Sequence, residues 1–306
     1  MEFGQILDPE KLDQMQLDLP ILDSPEEQAQ ASRIQQAAEK SSLPQKLYLG
    51  APIWAHAPWI GSWYPAETTS TEMLSAYAKQ FSTVEINSTF YSIPKAELIE
   101  QWAGRVPDGF RFCPKFPKSI SHRMDANHPD LKLFAERIAL LGPKLGVSFL
   151  QLPEWVGPDS KPQLSALFAA IPKSLRATVE FRHPGFFENR RLKSEWVELL
   201  AKNFLGTVII DTPEQRSVSH ASLTSLRVMI RFLGANLHAT DSQRLKEWAE
   251  RLKFWYDQGL KEIYFIVHEP DNSLAPEAAV HFAEAVHALW KAPVVNIPKS
   301  EQPALF

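Results

Sequence analysis

The feature that most constrains this chain is an alternation of two hydrophobic periods running from Leu47 to Trp290. Runs with period-two patterning at 47–53, 83–87, 111–115, 147–151, 178–182, 207–211, 227–231 and 264–268 predict eight strands. Between them, apolar residues recur at three- and four-residue spacing: Leu74/Tyr77/Phe81, Leu98/Ile99/Trp102, Leu131/Phe134/Ile138/Leu141, Leu164/Leu167/Phe168/Ile171, Trp196/Leu199/Leu200, Leu245/Trp248/Leu252/Trp255 and Phe282/Val286/Leu289. Each group predicts a helix with one stripe turned to a sheet. The stretch between Asp211 and Leu223 is too short and polar for a full helix, so eight strands meet seven good helices. Strands separated by helices pair in parallel, and a count of eight without a Gly-rich phosphate fingerprint favours an α/β fold of the (β/α)8 TIM-barrel type. The 306 residues leave a polar extension over 1–45, a barrel over 46–291 and a Pro-rich, extended tail over 292–306. In the extension, Ser24-Pro25-Glu26-Glu27 starts a helix to about Lys40, with serine as cap and proline in the first turn. That helix is weakly apolar, is either mobile or packed outside the barrel, and carries no candidate chemistry.

Period two also sorts side chains by face. The outward face is expected to hold Val84 and Ile86, Val179 and Phe181, Val208 and Ile210, Val228 and Ile230, and Phe265 and Val267. The inward face then ends in Glu85 and Asn87, Lys115, Gln151, Glu180 and Arg182, Asp211, Arg231 and His268, gathered in a bowl at the C-terminal rim. A polar group aimed into a barrel costs stability unless it is partnered. The bowl is therefore either a reaction site or an ion-pair plug.

As a site, it suits acid–base chemistry. Glu85 and Glu180 are the expected acid–base pair, because two enclosed carboxylates can be driven apart in pKa. His122, after the third strand, is an assisting acid–base. Arg182, Arg231 and Lys115 suit an anion; Asn87, Tyr91, Gln151, His183, Asp211 and His268 complete the binding set. The substrate class is thus a small, polar, anionic molecule, and the reaction a hydrolysis or an isomerisation. No metal is expected, since the histidines and carboxylates lie on separate strands without HxxxH or HxH spacing. No Walker loop, dinucleotide fingerprint or GxSxG elbow is present, so no cofactor is expected. Trp54, Trp59, Trp63 and Tyr64 crowd the first loop, either as a platform for a base or sugar or as a hydrophobic plug. The platform would favour a nucleic-acid-processing or nucleic-acid-binding barrel; a non-catalytic binding module is a third possibility.

A net charge of −4 does not advertise a nucleic-acid binder. Cys113 is the only cysteine, which precludes an intrachain disulfide and suits a reducing cytoplasm. Glu2, Asp8, Glu10, Asp13 and Asp18 do not suit a signal peptide, and no apolar run approaches the ~20 residues of a membrane span. A cytoplasmic protein without membrane contact is expected.

In their order, several blocks are specific: Tyr48-Leu49-Gly50, Trp63-Tyr64-Pro65, Val84-Glu85-x-Asn87-x-Thr89-Phe90-Tyr91, Phe110-x-Phe112-x-x-Lys115, Ile120-Ser121-His122, Leu150-Gln151-Leu152-Pro153, Val179-Glu180-x-Arg182-His183 and Ile230-Arg231-Phe232-x-Gly234. Through them the chain resembles the YecE-like proteins of the domain-of-unknown-function-72 family over about residues 46–290. The resemblance implies a TIM barrel and no particular activity. Where many members carry a glycine-rich stretch and paired asparagines, this chain reads Ala51-Pro52-Ile53-Trp54 and His268-Glu269, as in the YecE branch.

The chain closes on Gln302-Pro303-Ala304-Leu305-Phe306, which resembles the pentapeptide that docks bacterial polymerases and repair proteins on the sliding clamp. Leu305 and Phe306 would fill an apolar pocket and Gln302 would hydrogen-bond beside it; the alternative is a tail end docked on the barrel. A buried terminal aromatic contributes about 2 kcal/mol or more to such binding. Phe306→Ala is therefore expected to weaken clamp binding of the tail peptide by about thirtyfold in a titration. Failure of the unaltered peptide to bind at high micromolar concentration would remove the clamp as a partner.

Overall fold

A computed structural model of the chain describes residues 8–22, 24–290 and 298–300. Eight parallel strands form one sheet: β1 (Lys46–Ala51), β2 (Thr83–Ile86), β3 (Arg111–Pro114), β4 (Phe149–Gln151), β5 (Thr178–Glu180), β6 (Gly206–Asp211), β7 (Arg227–Leu233) and β8 (Glu262–His268). Their order is β3-β2-β1-β8-β7-β6-β5-β4, with β1 in register beside β8 from Lys46↔Glu262 to Gly50↔Ile266. Single bridges, Phe112 to Leu145 and Lys115 to Phe149, bring the free edges of β3 and β4 together and nearly close the barrel.

The outer layer comprises α1 (Pro25–Glu39), α2 (Met73–Gln80), α3 (Ala96–Gly104), α4 (Pro129–Ala139), α5 (Lys161–Ala170), α6 (Ser194–Lys202), α7 (Ala239–Asp257) and α8 (Ala275–Leu289). Helices α2 to α8 are the seven expected helices; six connect successive strands and α8 follows β8. Between β6 and β7 the chain makes only a 3₁₀ turn at Arg216–Val218. The N-terminal helix fills that gap. α1 buries Glu27, Gln30, Ala31 and Ile34, an i, i+3, i+4, i+7 stripe. Gln30 donates from Nε2 to the Ala221 carbonyl (3.0 Å) and accepts the Leu223 N–H on Oε1 (2.7 Å), satisfying the helix-free connection directly. Glu27 accepts from Arg191 ahead of α6 (2.5 Å), and from Arg251 (3.1 Å) and the Trp255 indole (2.6 Å) on α7. Ahead of α1, the backbone carbonyls of Leu17, Asp18 and Pro20 accept from Arg216, Arg190 and Arg251. The extension is thus part of the helical ring.

Inside the barrel, Tyr48, Cys113, Val147, Phe149, Val208, Met229, Tyr264 and Ile266 pack as an apolar layer, with the rings of Tyr48 and Tyr264 stacked at 4.9 Å. Burial pushes the Cys113 thiol up to about 12, so this cysteine is unreactive. The N-terminal mouth is closed by Arg176 and Arg227, both on the Glu262 carboxylate.

The face assignment holds for β2, β5, β7 and β8 and is reversed in β6. There Val208 and Ile210 point inward, while Ile209 joins the outer core and Asp211 turns outward. The run Val208-Ile209-Ile210 is apolar at every position, so its phase is not marked in the sequence. Asp211 is fully buried and accepts from the Trp248 indole (2.8 Å) and from Arg244 (3.2 Å) on α7, with Arg216 on its other oxygen. It fastens a helix to the barrel and is removed from the expected binding set.

The first loop is the plug. Trp59, Trp63 and Tyr64 are buried. The Trp59 indole donates to the carbonyls of Asn272 and Ser273 (3.2 and 3.1 Å), and the Tyr64 hydroxyl to that of Trp54 (2.8 Å). These three rings have no face to offer a base, which withdraws their support from a nucleic-acid role; Trp54, the fourth of the cluster, is half-buried edge-on to Trp102 (5.6 Å).

Candidate functional site

Above the apolar layer lies a polar one, drawn from the last residues of the strands. Arg231, near the end of β7, organises it. Its Nε and Nη2 donate to Oε2 and Oε1 of Glu85 (2.9 and 3.0 Å), and its Nη1 donates to Glu180 Oε2 (2.8 Å). Glu180 Oε1 also accepts from Arg182 (3.0 Å) and from the Gln151 amide (2.7 Å). Gln151 Oε1 accepts in turn from Lys115 Nζ (2.6 Å). On the other side, Glu85 accepts from Asn87 Nδ2 (2.9 Å) and His268 Nε2 (3.2 Å). Eight of the expected residues therefore form one continuous network, and all four oxygens of the two carboxylates are partnered.

That pairing sets the ionisation of the two expected acid–base residues. Burial alone would raise both carboxyls, but Arg231 and His268 hold Glu85 well below the usual carboxylate range. Arg231 and Arg182 likewise bring Glu180 down to about 2. A single guanidinium spans the two, so they are driven down together instead of apart. Both are ionised at neutral pH.

The proton-carrying groups lie one step further out, where a cavity of about 360 Å³ opens over Pro52, Ile53, Asn87, Arg231, His268 and Glu269. The sequence gives Glu269 no evident role. It is 4 % exposed; its Oε2 accepts the Asn236 N–H (2.8 Å), while Oε1 is buried without a hydrogen-bond partner among the described residues. Burial, reinforced by the neighbouring Asp241 carboxyl, pushes Glu269 up to about 8, so it keeps its proton at neutral pH. Asp241 accepts the Ala235 N–H (2.7 Å), and between these two anchors Asn236 and Leu237 both take left-handed backbone angles (φ +58° and +59°). Gly234 leaves room for this carboxyl, because a Cβ there would stand 2.2 Å from Glu269 Oε1 and displace it. The histidine beside Glu269 complements it. Burial pushes His268 down, so it is neutral at pH 7. Ionised Glu85 can only accept, so the proton sits on His268 Nε2 and Nδ1 is left as a base.

The remaining expected residues lie outside this network. His122 follows a short helix, Lys118–Ser121, and packs on the Phe90 ring at 5.7 Å; burial, Lys118 and Lys115 lower its pKa. It contacts neither carboxylate. His183 caps a 3₁₀ turn, its Nδ1 accepting the Gly185 N–H (3.0 Å), and has a structural part. Tyr91 stands at the rim, 83 % exposed. Gln302, Leu305 and Phe306 lie outside the described residues. Among the described residues, no group of three or more His, Cys, Asp or Glu side chains is arranged to hold a metal ion, and no helix is long and apolar enough to cross a membrane. A larger cavity, about 790 Å³, is a seam between the N-terminal strap (Asp18, Leu19, Ile21) and α6, outside the barrel and away from this chemistry.

Fold and site together define a (β/α)8 barrel with a buried carboxylate–arginine layer beneath its C-terminal mouth. The chain belongs to the family described as "Protein of unknown function DUF72", whose model matches residues 48–303. It is 30 % identical over 265 residues to the UPF0759 protein YecE of Escherichia coli K12, covering 80 % of this chain and 92 % of that one. A crystal structure of a DUF72 family protein from Thermotoga maritima superposes with a TM-score of 0.62 at 22 % identity, covering 80 % of this chain and 99 % of that one. One from Enterococcus faecalis gives 0.61 at 19 %, covering 85 % and 99 %. The two structures share the fold.

Proposed function

We propose that this barrel is an enzyme performing acid–base chemistry on a small polar molecule held in the cavity over β1, β2, β7 and β8. The observation that carries the reading is Glu269: a buried, protonated carboxyl that lines that cavity together with a neutral histidine, one of its oxygens having no hydrogen-bond partner among the described residues. A protonated acid and a neutral base side by side can deliver one proton and remove another near pH 7, as an isomerisation or a general-acid-assisted hydrolysis requires. Glu85 and Glu180 serve as the fixed anionic frame. They orient Arg231 and set the His268 tautomer, while Asn87 and Arg231 hold polar groups of the substrate. The anionic character of the substrate rests on the Arg231 guanidinium, the cation that lines this cavity.

Glu269→Gln tests this, because glutamine mimics the protonated acid in shape. Its folded pKa of about 8 lies above the ordinary carboxyl value of ~4.3. The folded state therefore keeps a proton that the unfolded chain loses, and wild-type stability falls as pH rises from about 4.5 to 8 before levelling. Glu269→Gln lacks that slope. It is expected to match wild type near pH 4 and to be more stable on the order of 3 kcal/mol at pH 8, by denaturant melts at both pH values. In a thermal-shift screen of small organic acids, any acid that stabilises and is converted by wild type should be left unconverted by Glu269→Gln. A variant less stable than wild type at pH 8 would make the carboxyl structural and overturn the reading.

The complete pairing of Glu85 and Glu180 favours a second reading, a barrel that binds without transforming. Conversion of the bound molecule by wild type separates the two.

A further inference from the structure

The polar layer contains one group that neither the ion-pair frame nor the Glu269 cavity uses. Lys115 follows β3 and is 9 % exposed. Among the described residues its Nζ has one hydrogen-bonded partner, the neutral Gln151 amide oxygen, and no carboxylate within 4.0 Å. The rings of Phe90 and Phe149 stand 4.3 and 5.9 Å from that nitrogen. Its backbone is pinned on both sides: its N–H donates to the Ile86 carbonyl (3.1 Å), and its own carbonyl accepts from the Thr89 hydroxyl (2.7 Å). A lysine that only balanced charge would sit on a carboxylate. Glu85 and Glu180 are both nearby in the layer, yet both are occupied by arginines.

From this geometry we infer that Lys115 is a covalent nucleophile that forms an imine with a small carbonyl compound, an aldehyde or keto acid, entering through the barrel mouth. An amine walled by aromatic rings and bonded to a neutral amide is held in position while its lone pair can be released. The Nζ lone pair attacks the carbonyl carbon, and the carbonyl oxygen takes a proton to become a hydroxyl. The carbinolamine then loses that hydroxyl as water with one further proton, and nitrogen gives up its two protons, one on addition and one as the C=N bond forms. The sum is amine plus carbonyl giving imine plus water, with no change in oxidation state. His122, on the same Phe90 ring, brings a neutral imidazole to this aromatic wall as a proton carrier. The inference rests on the acid–base reading only in taking the mouth as the place where substrate enters.

The test is reductive trapping on the full-length protein with glyoxylate and cyanoborohydride, followed by peptide mass mapping. Lys115 is expected to be labelled at least tenfold faster than the surface lysines at pH 7. Its rate should rise through a midpoint near pH 8, where burial and Arg231 bring this amine, instead of near the ~10.4 of an exposed lysine. Gln151→Glu, which puts a carboxylate on Nζ, is expected to slow the labelling about tenfold. Selective labelling in wild type and Glu269→Gln alike supports the inference whatever the fate of the acid–base reading. Labelling of Lys115 no faster than that of surface lysines overturns it, and the Glu269 melts still stand or fall separately.

Discussion

Arg231→Met is expected to remove about 5 kcal/mol of folding stability at pH 7, the largest effect of any single substitution in the polar layer. The substitution keeps much of the side-chain volume and removes the charge. Three of the short contacts in the layer, at 2.8, 2.9 and 3.0 Å, run from this one guanidinium to two fully buried carboxylates. Without it, Glu85 and Glu180 must stay ionised with no counter-charge between them or take up protons at pH 7, and either course is costly. The pH dependence identifies the cause. In wild type both carboxyls titrate below their unfolded values, so their ion pairs contribute fully above about pH 5 and are lost as pH falls through the folded values, about 2 for Glu180 and lower for Glu85. In Arg231→Met, burial instead raises them, and the variant gains stability as pH falls. The gap between the two proteins should therefore narrow from pH 7 to pH 4 in urea melts. Adding Glu85→Gln to Arg231→Met should recover part of the loss, a coupling that distant sites do not show. A variant within 1 kcal/mol of wild type at pH 7 would mean that the layer is far wetter than its burial indicates.

Deletion of residues 1–40 is expected to abolish cooperative folding of the barrel, although every strand and all seven helices from α2 to α8 remain. The reason is the gap between β6 and β7. α1 covers it with Ala31 and Ile34 and supplies both hydrogen bonds that Gln30 makes to the helix-free connection. It also supplies Glu27, against which Arg251 and Arg191 are buried. Removing Glu27 leaves a guanidinium that is 1 % exposed without its carboxylate. Glu27→Ala alone should cost about 3–5 kcal/mol for that reason. The truncated protein should be recovered insoluble or with a non-cooperative melt by circular dichroism. Retention of a sharp wild-type transition after deletion would show that the ring does not need its eighth helix.

Much of this architecture is legible in the residues, because it depends on period. Eight period-two runs and seven helical stripes led to the barrel, and strict alternation placed Glu85, Asn87, Glu180, Arg182, Arg231 and His268 on one inner face. Alternation fails where it carries no contrast: β6 is apolar at 208, 209 and 210, and Asp211 took the wrong side. The helix at 25–39 was legible from its cap and proline, but its place in the ring was not. Its buried stripe contains Glu27 and Gln30, which look like surface residues until their partners more than 160 positions away are known.

The sequence by itself determined the strand count, the inner face and the inventory of charged groups at the mouth. Local period and side-chain chemistry are intrinsic to the chain. The state of those groups was decided only by tertiary structure. Two glutamates of the same chemistry, Glu180 and Glu269, come to about 2 and about 8. One is set against two arginines, and the other is buried beside Asp241 with one oxygen unpartnered. A pKa reports the balance between lost hydration and the charges brought near, and those charges come from strands and helices far apart in sequence. For the same reason the sequence does not single out Glu269: it lies just beyond β8, outside the alternating pattern, and only the assembled cavity, the loop at 234–238 and the side-chain-free Gly234 mark it.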